Sequence, residues 1–307
     1  MKIEKLNNFK IFPKELVEYK EMGNVREIRR MTKVNNKATV KKISDTEYVK
    51  LSTGEVLEYN FSDKEKNRLD NIKSVRRSLS DLRDVLNANV IDVSFCRWVT
   101  LTYAENMTDT KRLYDDFRLF VMRFRYYLKK RDYNKCEYIV AMEPQARGAW
   151  HCHIVFIFDK KAPYIPNDEL RELWGQGFVT VKRLDDVDNV GAYLTAYLGD
   201  MELQDAIDNN LCDLSSEIKS VDVDIDGKKV TKKYLKGCRL KMYPTGFHLW
   251  RSSRGIKKPV VTKMTNEQAE KKVSSGKLTY ENTIYLSNDD CTFETIISKR
   301  YYNMKRK

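Results

Sequence analysis

The middle of the chain shows the clearest periods of apolar and polar positions. Between residues 63 and 88, apolar side chains recur at spacings of three and four, which predicts a helix. From residue 91 onward, β-branched and aromatic runs alternate with longer amphipathic stretches. This order predicts an α+β fold: a central antiparallel sheet with helices packed on it, and basic flanking regions. The expected strands are 93–103, 137–142, 150–158 and 179–182, and the expected helices are 109–130, 167–175 (with Asn167 as N-cap) and 187–198.

The flanks have weaker patterns. Residues 1–37 are polar and mixed and show no clear period, whereas 38–61 alternate around a Thr-Gly turn and predict a small hairpin. A second hairpin is predicted over 221–230. We therefore expect three segments: an N-terminal region, 1–90, with a possible DNA contact; a central nuclease-type domain, 91–202; and a basic C-terminal DNA-binding region, 203–307.

The charge distribution indicates a polyanionic partner. The net charge is +13 over 307 residues. Residues 91–202 carry 16 basic and 17 acidic side chains, whereas 1–90 carry 20 and 14, and 203–307 carry 21 and 13. Such flanks suit nucleic-acid binding, although ordinary surface lysines produce the same totals.

Several protein classes are disfavoured by the sequence. Six cysteines without a C-x-x-C pair argue against a zinc ribbon or a disulfide framework. The first residues have no apolar signal-like run and no apolar stretch approaches 18 residues, so we expect a reduced, cytoplasmic protein without a membrane partner. No Walker-type sequence is present, so we expect a helicase to be supplied in trans.

Two of the three histidines, His151 and His153, lie one residue apart in a predicted strand. Side chains alternate along a strand, so both imidazoles point to one face and Cys152 to the other. A pair of imidazoles on a rigid strand is suited to bind a metal ion. The alternative is a pair of ordinary sheet histidines.

Glu143 is the candidate third ligand. It precedes His151 by eight residues, within reach of a hairpin. A two-residue turn at Arg147-Gly148 would place it on the wrong face, so the prediction requires an odd-length or bulged connection. Gln145 has the same parity and is the alternative ligand. Imidazole and oxygen ligands suit Mg²⁺ or Mn²⁺ and would also accept zinc.

Tyr193 and Tyr197 are four residues apart on a predicted helix and therefore share one face. Such pairs usually pack in a core or an interface. Near a metal that polarises a phosphate, a phenolate can instead act as a nucleophile.

At this point the chain resembles the HUH endonuclease superfamily. His-Cys-His resembles its His-hydrophobe-His motif, Trp98-Val-Thr-Leu-Thr-Tyr103 resembles its first motif, and the two tyrosines resemble its tyrosine helix. The motifs occur in the family's order over roughly 95–200. The closest resemblance is to rolling-circle replication initiators of plasmids and phages.

The resemblance implies a mechanism. A tyrosine would attack a single-stranded origin, exposed as a hairpin loop, keep the 5′ end as a phosphotyrosine, free a 3′-OH for a host polymerase, and later rejoin the strand. Many initiators carry a lysine where this chain has Ala196; Lys182 or a C-terminal lysine could replace it. Which tyrosine acts first stays open. The alternatives are an HUH transposase or relaxase, and a non-catalytic origin- or operator-binding protein.

A basic, aromatic segment supports DNA binding independently of the motifs. Residues 227–264 contain 12 Lys or Arg and no Asp or Glu. Basic side chains contact phosphates, and aromatic rings stack on unpaired bases. The candidate DNA-binding residues are Lys236, Arg239, Lys241, Tyr243, Trp250, Arg251, Arg254, Lys257 and Lys258.

Overall fold

The structure is a computed structural model. It groups the chain into two compact units, Met1–Glu65 with Pro259–Lys307, and Lys66–Lys258. The expected three-segment division at residues 90 and 202 stays a prediction about function. The described residues are 2–7, 9–33, 39–44, 46–58, 72–133, 135–182, 184, 189–195, 198–208, 217–225, 228–288 and 293–306.

The described elements alternate between strands and helices along the chain. The strands are β1 (Lys2–Lys5), β2 (Leu16–Met22), β3 (Val25–Met31), β4 (Val40–Lys42), β5 (Glu47–Lys50), β6 (Val56–Glu58), β7 (Cys96–Tyr103), β8 (Cys136–Pro144), β9 (Trp150–Phe158), β10 (Gly177–Lys182), β11 (Met201–Glu202), β12 (Ile218–Ile225), β13 (Lys228–Leu235), β14 (Trp250–Ser252), β15 (Val260–Thr265), β16 (Lys277–Ser287) and β17 (Glu294–Asn303). The helices are α1 (Ile72–Asn89), α2 (Thr110–Lys130), α3 (Asn167–Trp174), α4 (Val190–Thr195), α5 (Leu203–Asp208) and α6 (Asn266–Val273).

A five-stranded antiparallel sheet organises the 66–258 unit, in the order β10-β7-β9-β8-β14. The histidine strand β9 is therefore the middle strand. The expected α+β plan with a central antiparallel sheet is confirmed. A smaller sheet in the same unit joins β11, β13 and β12, so the predicted hairpin at 221–230 is longer than expected, while its tip at 226–227 lies outside the described residues.

The two faces of the central sheet are covered differently. On one face, α2 contributes an aromatic core in which the ring centroids of Phe124 and Phe156 lie 4.4 Å apart. On the other face, Leu82 and Leu86 of α1 pack with Val155, and residue 190 of α4 joins the same cluster. The histidines project on this second face, since they share the side of β9 that carries Val155.

Local signals explain where several elements begin. Asp109 accepts hydrogen bonds from the backbone N–H groups of Lys111 and Arg112 and caps α2. The prediction of Asn167 as an N-cap is wrong. Asn167 is already helical, and the extended Pro166 precedes it without a side-chain cap. The expected strand at 93–103 begins with a 3₁₀ turn over Val93–Phe95 that Asp92 caps.

The other unit contains a six-stranded antiparallel sheet in the order β1-β16-β17-β3-β2-β15. The expectation that residues 1–37 lack a periodic element is wrong, because three strands lie there. Their partners are remote in sequence; Ile296 donates a backbone N–H to the hydroxyl of Thr32, 264 residues earlier. Val17 and Tyr19 of β2 are buried against α6.

Two predictions overlap the limits of the described residues. The hairpin predicted over 38–61 is a three-stranded antiparallel sheet of β4, β5 and β6. The helix predicted over 63–88 corresponds to α1, whose described part begins at Ile72; residues 59–71 lie outside the described residues.

Candidate metal centre

Three ligand side chains converge on the middle of the central sheet. His151 and His153 project from β9, and Glu143 lies opposite His151 on β8. Their ligand atoms all lie within 4.8 Å of one another. Glu143 Oε2 is 3.3 Å from Nε2 of His151 and 3.1 Å from Nε2 of His153. The predicted grouping of these three residues is present in the structure.

The turn between β8 and β9 satisfies the condition that the sequence imposed. Pro144 pairs with Trp150, and the backbone N–H of Gln145 donates to the carbonyl of Ala149 at 2.7 Å, which leaves an odd, three-residue loop. Gly148 occupies the left-handed region with φ 93°. Glu143 therefore joins the histidine face. The alternative ligand, Gln145, lies at the base of the turn, where its amide oxygen accepts a hydrogen bond from Arg147.

Contacts with neighbouring polar groups keep the buried carboxylate ionised. Burial alone would raise the pKa of Glu143, but hydrogen bonds with His151 and His153 and the charge of Arg239 hold it below its ordinary value. Burial lowers the pKa of His151, which favours the neutral imidazole that a metal requires.

One buried oxygen of the carboxylate is well suited to a cation. The side chain of Glu143 is 6% exposed, and Oε1 accepts no hydrogen bond of good geometry from the described residues. A buried carboxylate oxygen without a hydrogen bond is costly unless a cation compensates it. Two imidazoles and a carboxylate form a donor set that suits a divalent metal ion.

Arg239 reaches this cluster from the segment that follows β13. Its Nε lies 2.9 Å from Glu143 Oε1, close enough for an ion pair, and donates its hydrogen bond to the carbonyl of Asp200 at 3.0 Å. One terminal nitrogen donates to the carbonyl of Pro144 at 3.2 Å. Arg239 thus links the end of β8 to residues that follow the tyrosine segment.

Thr100 orients one histidine, a role that the sequence alone did not reveal. It lies opposite His153 on β7, and its hydroxyl is 3.1 Å from His153 Nδ1. This contact leaves Nε2 directed at Glu143. Partners of this kind fix the tautomer and ring orientation of metal-binding histidines. The signal was its position within the Trp98–Tyr103 motif.

The helix that carries Tyr193 adjoins the same cluster. Leu194 and Leu198 line a cavity of about 190 Å³ together with Glu143, His153 and residues of α1. Tyr193 lies within α4, but its side chain is not among those described, and Tyr197 and Ala196 lie outside the described residues. Lys182, a candidate replacement for the missing lysine, sits 5.7 Å from the ring of Trp98.

A polar clamp fixes α4 against α1. Asn87, buried in α1, donates a hydrogen bond to the side chain of Asn189 and accepts one from the backbone N–H of Gly191, both at 2.9 Å. Glycine is required at 191, because a Cβ there would lie 2.2 Å from the carbonyl oxygen of Arg83. This clamp sets the start of the tyrosine helix relative to the sheet face.

The predicted DNA-binding residues do not share one environment. Tyr243 is buried against Trp150 and Phe247, and Trp250 donates a hydrogen bond to the carbonyl of Ser78. Lys236 pairs with Glu217 at 2.6 Å. Lys241 lies on the 3₁₀ turn Cys238–Met242 beside Arg239. Arg251, Arg254, Lys257 and Lys258 are exposed. Their contact with DNA stays a prediction.

The fold and the centre together suit a protein that carries out metal-assisted chemistry on an extended substrate. Residues 96–202, about a third of the chain, match the model of the replication-associated protein ORF2 family. This match supports a replication-associated, DNA-binding role of the initiator type. No curated protein and no solved structure matches the chain. Among the described residues, no helix is long and apolar enough to cross a membrane.

Proposed function

We propose that the protein initiates rolling-circle replication by nicking and rejoining single-stranded origin DNA. The observation that carries this proposal is the cavity shared by Glu143, His153 and the helix that contains Tyr193. It lies in the segment that matches the replication-associated family. The chain would act in the cytoplasm of a bacterial host, with helicase and polymerase supplied in trans.

The proposed reaction transfers a phosphodiester to tyrosine. The phenol oxygen of Tyr193 or Tyr197 forms a bond to phosphorus, the bond from phosphorus to the 3′ oxygen breaks, and the phenolic proton ends on that oxygen. The products are a 5′-phosphotyrosine and a free 3′-OH. The reverse transfer rejoins the strand without ATP, because the ester conserves the bond energy.

The side chains of the centre would divide the remaining work. Mg²⁺ or Mn²⁺ held by Glu143, His151 and His153 would polarise the scissile phosphate and stabilise the charge that develops on it. Thr100 would hold the ring of His153, and Arg239 would hold the carboxylate of Glu143. The Asn87 clamp would fix the tyrosine helix over the phosphate.

A covalent-capture assay tests the proposal. Purified protein is incubated with labelled hairpin oligonucleotides whose loops are randomised, with Mg²⁺, Mn²⁺ or EDTA, and analysed on a denaturing gel. We expect a metal-dependent protein–DNA adduct that Tyr193→Phe and Tyr197→Phe together abolish. Tyr164→Phe is the matched control, because Tyr164 is 79% exposed and lies outside the candidate centre.

The single variants rank the two tyrosines by the adduct that each retains. Sequencing the captured loops would give the origin sequence. DNA binding without any adduct, in either metal and across the whole loop pool, would contradict the nicking proposal and favour the non-catalytic alternative.

A further inference from the structure

An open groove lies between the C-terminal half of α2, the start of β8 and the turn after β14. Its lining includes Arg125 and Lys129 of α2, Lys135, and Arg254. Its volume of about 1110 Å³ exceeds the ~300–1,000 Å³ of a typical small-molecule pocket. A polymer fits such a groove better than a small ligand does.

Cations without acidic partners dominate the groove. Within the described part of the chain, Arg125, Lys129 and Arg254 have no carboxylate at ion-pair distance, whereas Arg131 pairs with Glu169 at 2.7 Å. Of the two acids that line the groove, Glu137 contacts Lys135 at 3.8 Å and accepts the backbone N–H of Gly255. The other is Asp132. The uncompensated charge of the groove is therefore positive.

A further arginine extends this charge along the neighbouring sheet edge. Arg251 stacks on the ring of Tyr114 at 4.0 Å, which holds its guanidinium in place. Burial raises the pKa of the Tyr138 phenol, and the charges of Arg125 and Arg251 oppose this rise, so both guanidinium groups lie near its hydroxyl. Guanidinium groups held in this way suit bidentate contact with phosphate.

The rings of the groove are committed to the core. Tyr138 packs edge-on against Phe117, and Tyr133 packs edge-on against Tyr127. Single-strand binding relies on ring faces that are free to stack on bases, whereas duplex binding relies on phosphate contacts. The lining thus favours a duplex backbone over unpaired bases.

We propose that this groove holds the phosphate backbone of the double-stranded stem beside the single-stranded origin loop. Glu137 and Glu143 lie on the same strand, six residues apart, which is roughly 20 Å at ~3.3 Å per residue. That separation is about six base-pair steps of duplex DNA at ~3.4 Å each. The proposal rests on the proposed function only for the identity of the stem as origin DNA.

The test compares two probes in the absence of metal. Fluorescence anisotropy measures binding of a hairpin with a stem, and of a linear single strand with the same loop sequence, at several salt concentrations. For Arg125→Glu combined with Lys129→Glu, we expect at least roughly tenfold weaker binding of the hairpin and a salt-dependence slope reduced by roughly two, about one per lost phosphate contact. Binding of the single strand should change less than about threefold.

Lys130→Glu is the matched control, because Lys130 is exposed on the same helix but does not line the groove. It should change both affinities less than about threefold. Arg125→Gln with Lys129→Gln repeats the test without charge reversal, and far-ultraviolet circular dichroism verifies folding. Equal weakening of both probes, or unchanged hairpin binding in a folded variant, would overturn the proposal.

These outcomes separate the groove from the nicking chemistry. Binding is measured without cleavage, so a chain that binds stems through the groove but forms no covalent adduct would retain this inference and lose the proposed function. A chain that forms the adduct but binds both probes equally well after Arg125→Glu with Lys129→Glu would lose this inference alone.

Discussion

Replacing Arg239 by methionine separates its electrostatic role from its packing. In the structure, the side chains of Arg239 and Glu143 are 15% and 6% exposed, and their charged atoms lie 2.9 Å apart. Removing one partner of such a buried pair typically costs ~3–5 kcal/mol, because the other charge stays buried without compensation. At about 2–4 °C per kcal/mol, the metal-free variant should unfold roughly 6–20 °C lower than the parent chain.

Added metal should reverse much of this loss. A divalent ion that binds Glu143 compensates the same carboxylate charge as Arg239. Binding to the folded state alone stabilises by about 2.7 kcal/mol when the ligand is at roughly 100 times its dissociation constant. Because the arginine no longer competes for the carboxylate, we expect Mn²⁺ to raise the Tm of Arg239→Met by more than it raises that of the parent chain.

Differential scanning fluorimetry in EDTA and in Mn²⁺, together with Mn²⁺ titrations followed by electron paramagnetic resonance, measures both quantities. Arg239→Lys is the matched control, since it keeps the charge and should retain part of the stability in EDTA. Glu143→Gln should bind Mn²⁺ weakly in either background. Equal Mn²⁺ shifts in Arg239→Met and the parent chain would refute the shared use of the carboxylate.

Two further predictions concern pH and the tyrosine helix. Burial places the folded pKa of His151 below its ordinary 6.5, so between these values the unfolded chain binds a proton that the folded chain does not, and stability should fall as the pH drops below 6.5. Urea titrations of metal-free protein should show a shallower fall for His151→Gln; parallel curves would contradict this origin. Gly191→Ala should cost ~1–3 kcal/mol by forcing α4 away from Arg83 and should reduce adduct formation while Mn²⁺ affinity is preserved; unchanged adduct formation in calorimetrically destabilised protein would remove the clamp from the mechanism.

The hairpin that carries the ligands was predictable because its determinants are local. Strand alternation alone placed His151 and His153 on one face, and β9 spans the predicted 150–158. The parity of the turn was not predictable from residue types, since Gly148 permits several loop lengths. The structure selected the odd loop and thereby selected Glu143 over Gln145.

Elements that depend on remote partners were missed for the same reason. Strands β2 and β3 are rich in charged residues, and their buried positions become apparent only when β15 and β17 pair with them. Likewise, Arg239 looked like a phosphate contact in a basic segment, and only the fold brings it to Glu143. The roles of Tyr193 and Tyr197 stay predictions.

The six-stranded sheet also has a consequence in time. Its first strands leave the ribosome early, but β15 must wait until every residue between Met31 and Val260 has been synthesised. At ~5–20 residues per second, this delay is on the order of ten to fifty seconds. Throughout that interval the edges of β2 and β3 are unpaired and open to other chains, so the yield of folded protein should depend on the rate of translation and on chaperones that cover these two strands.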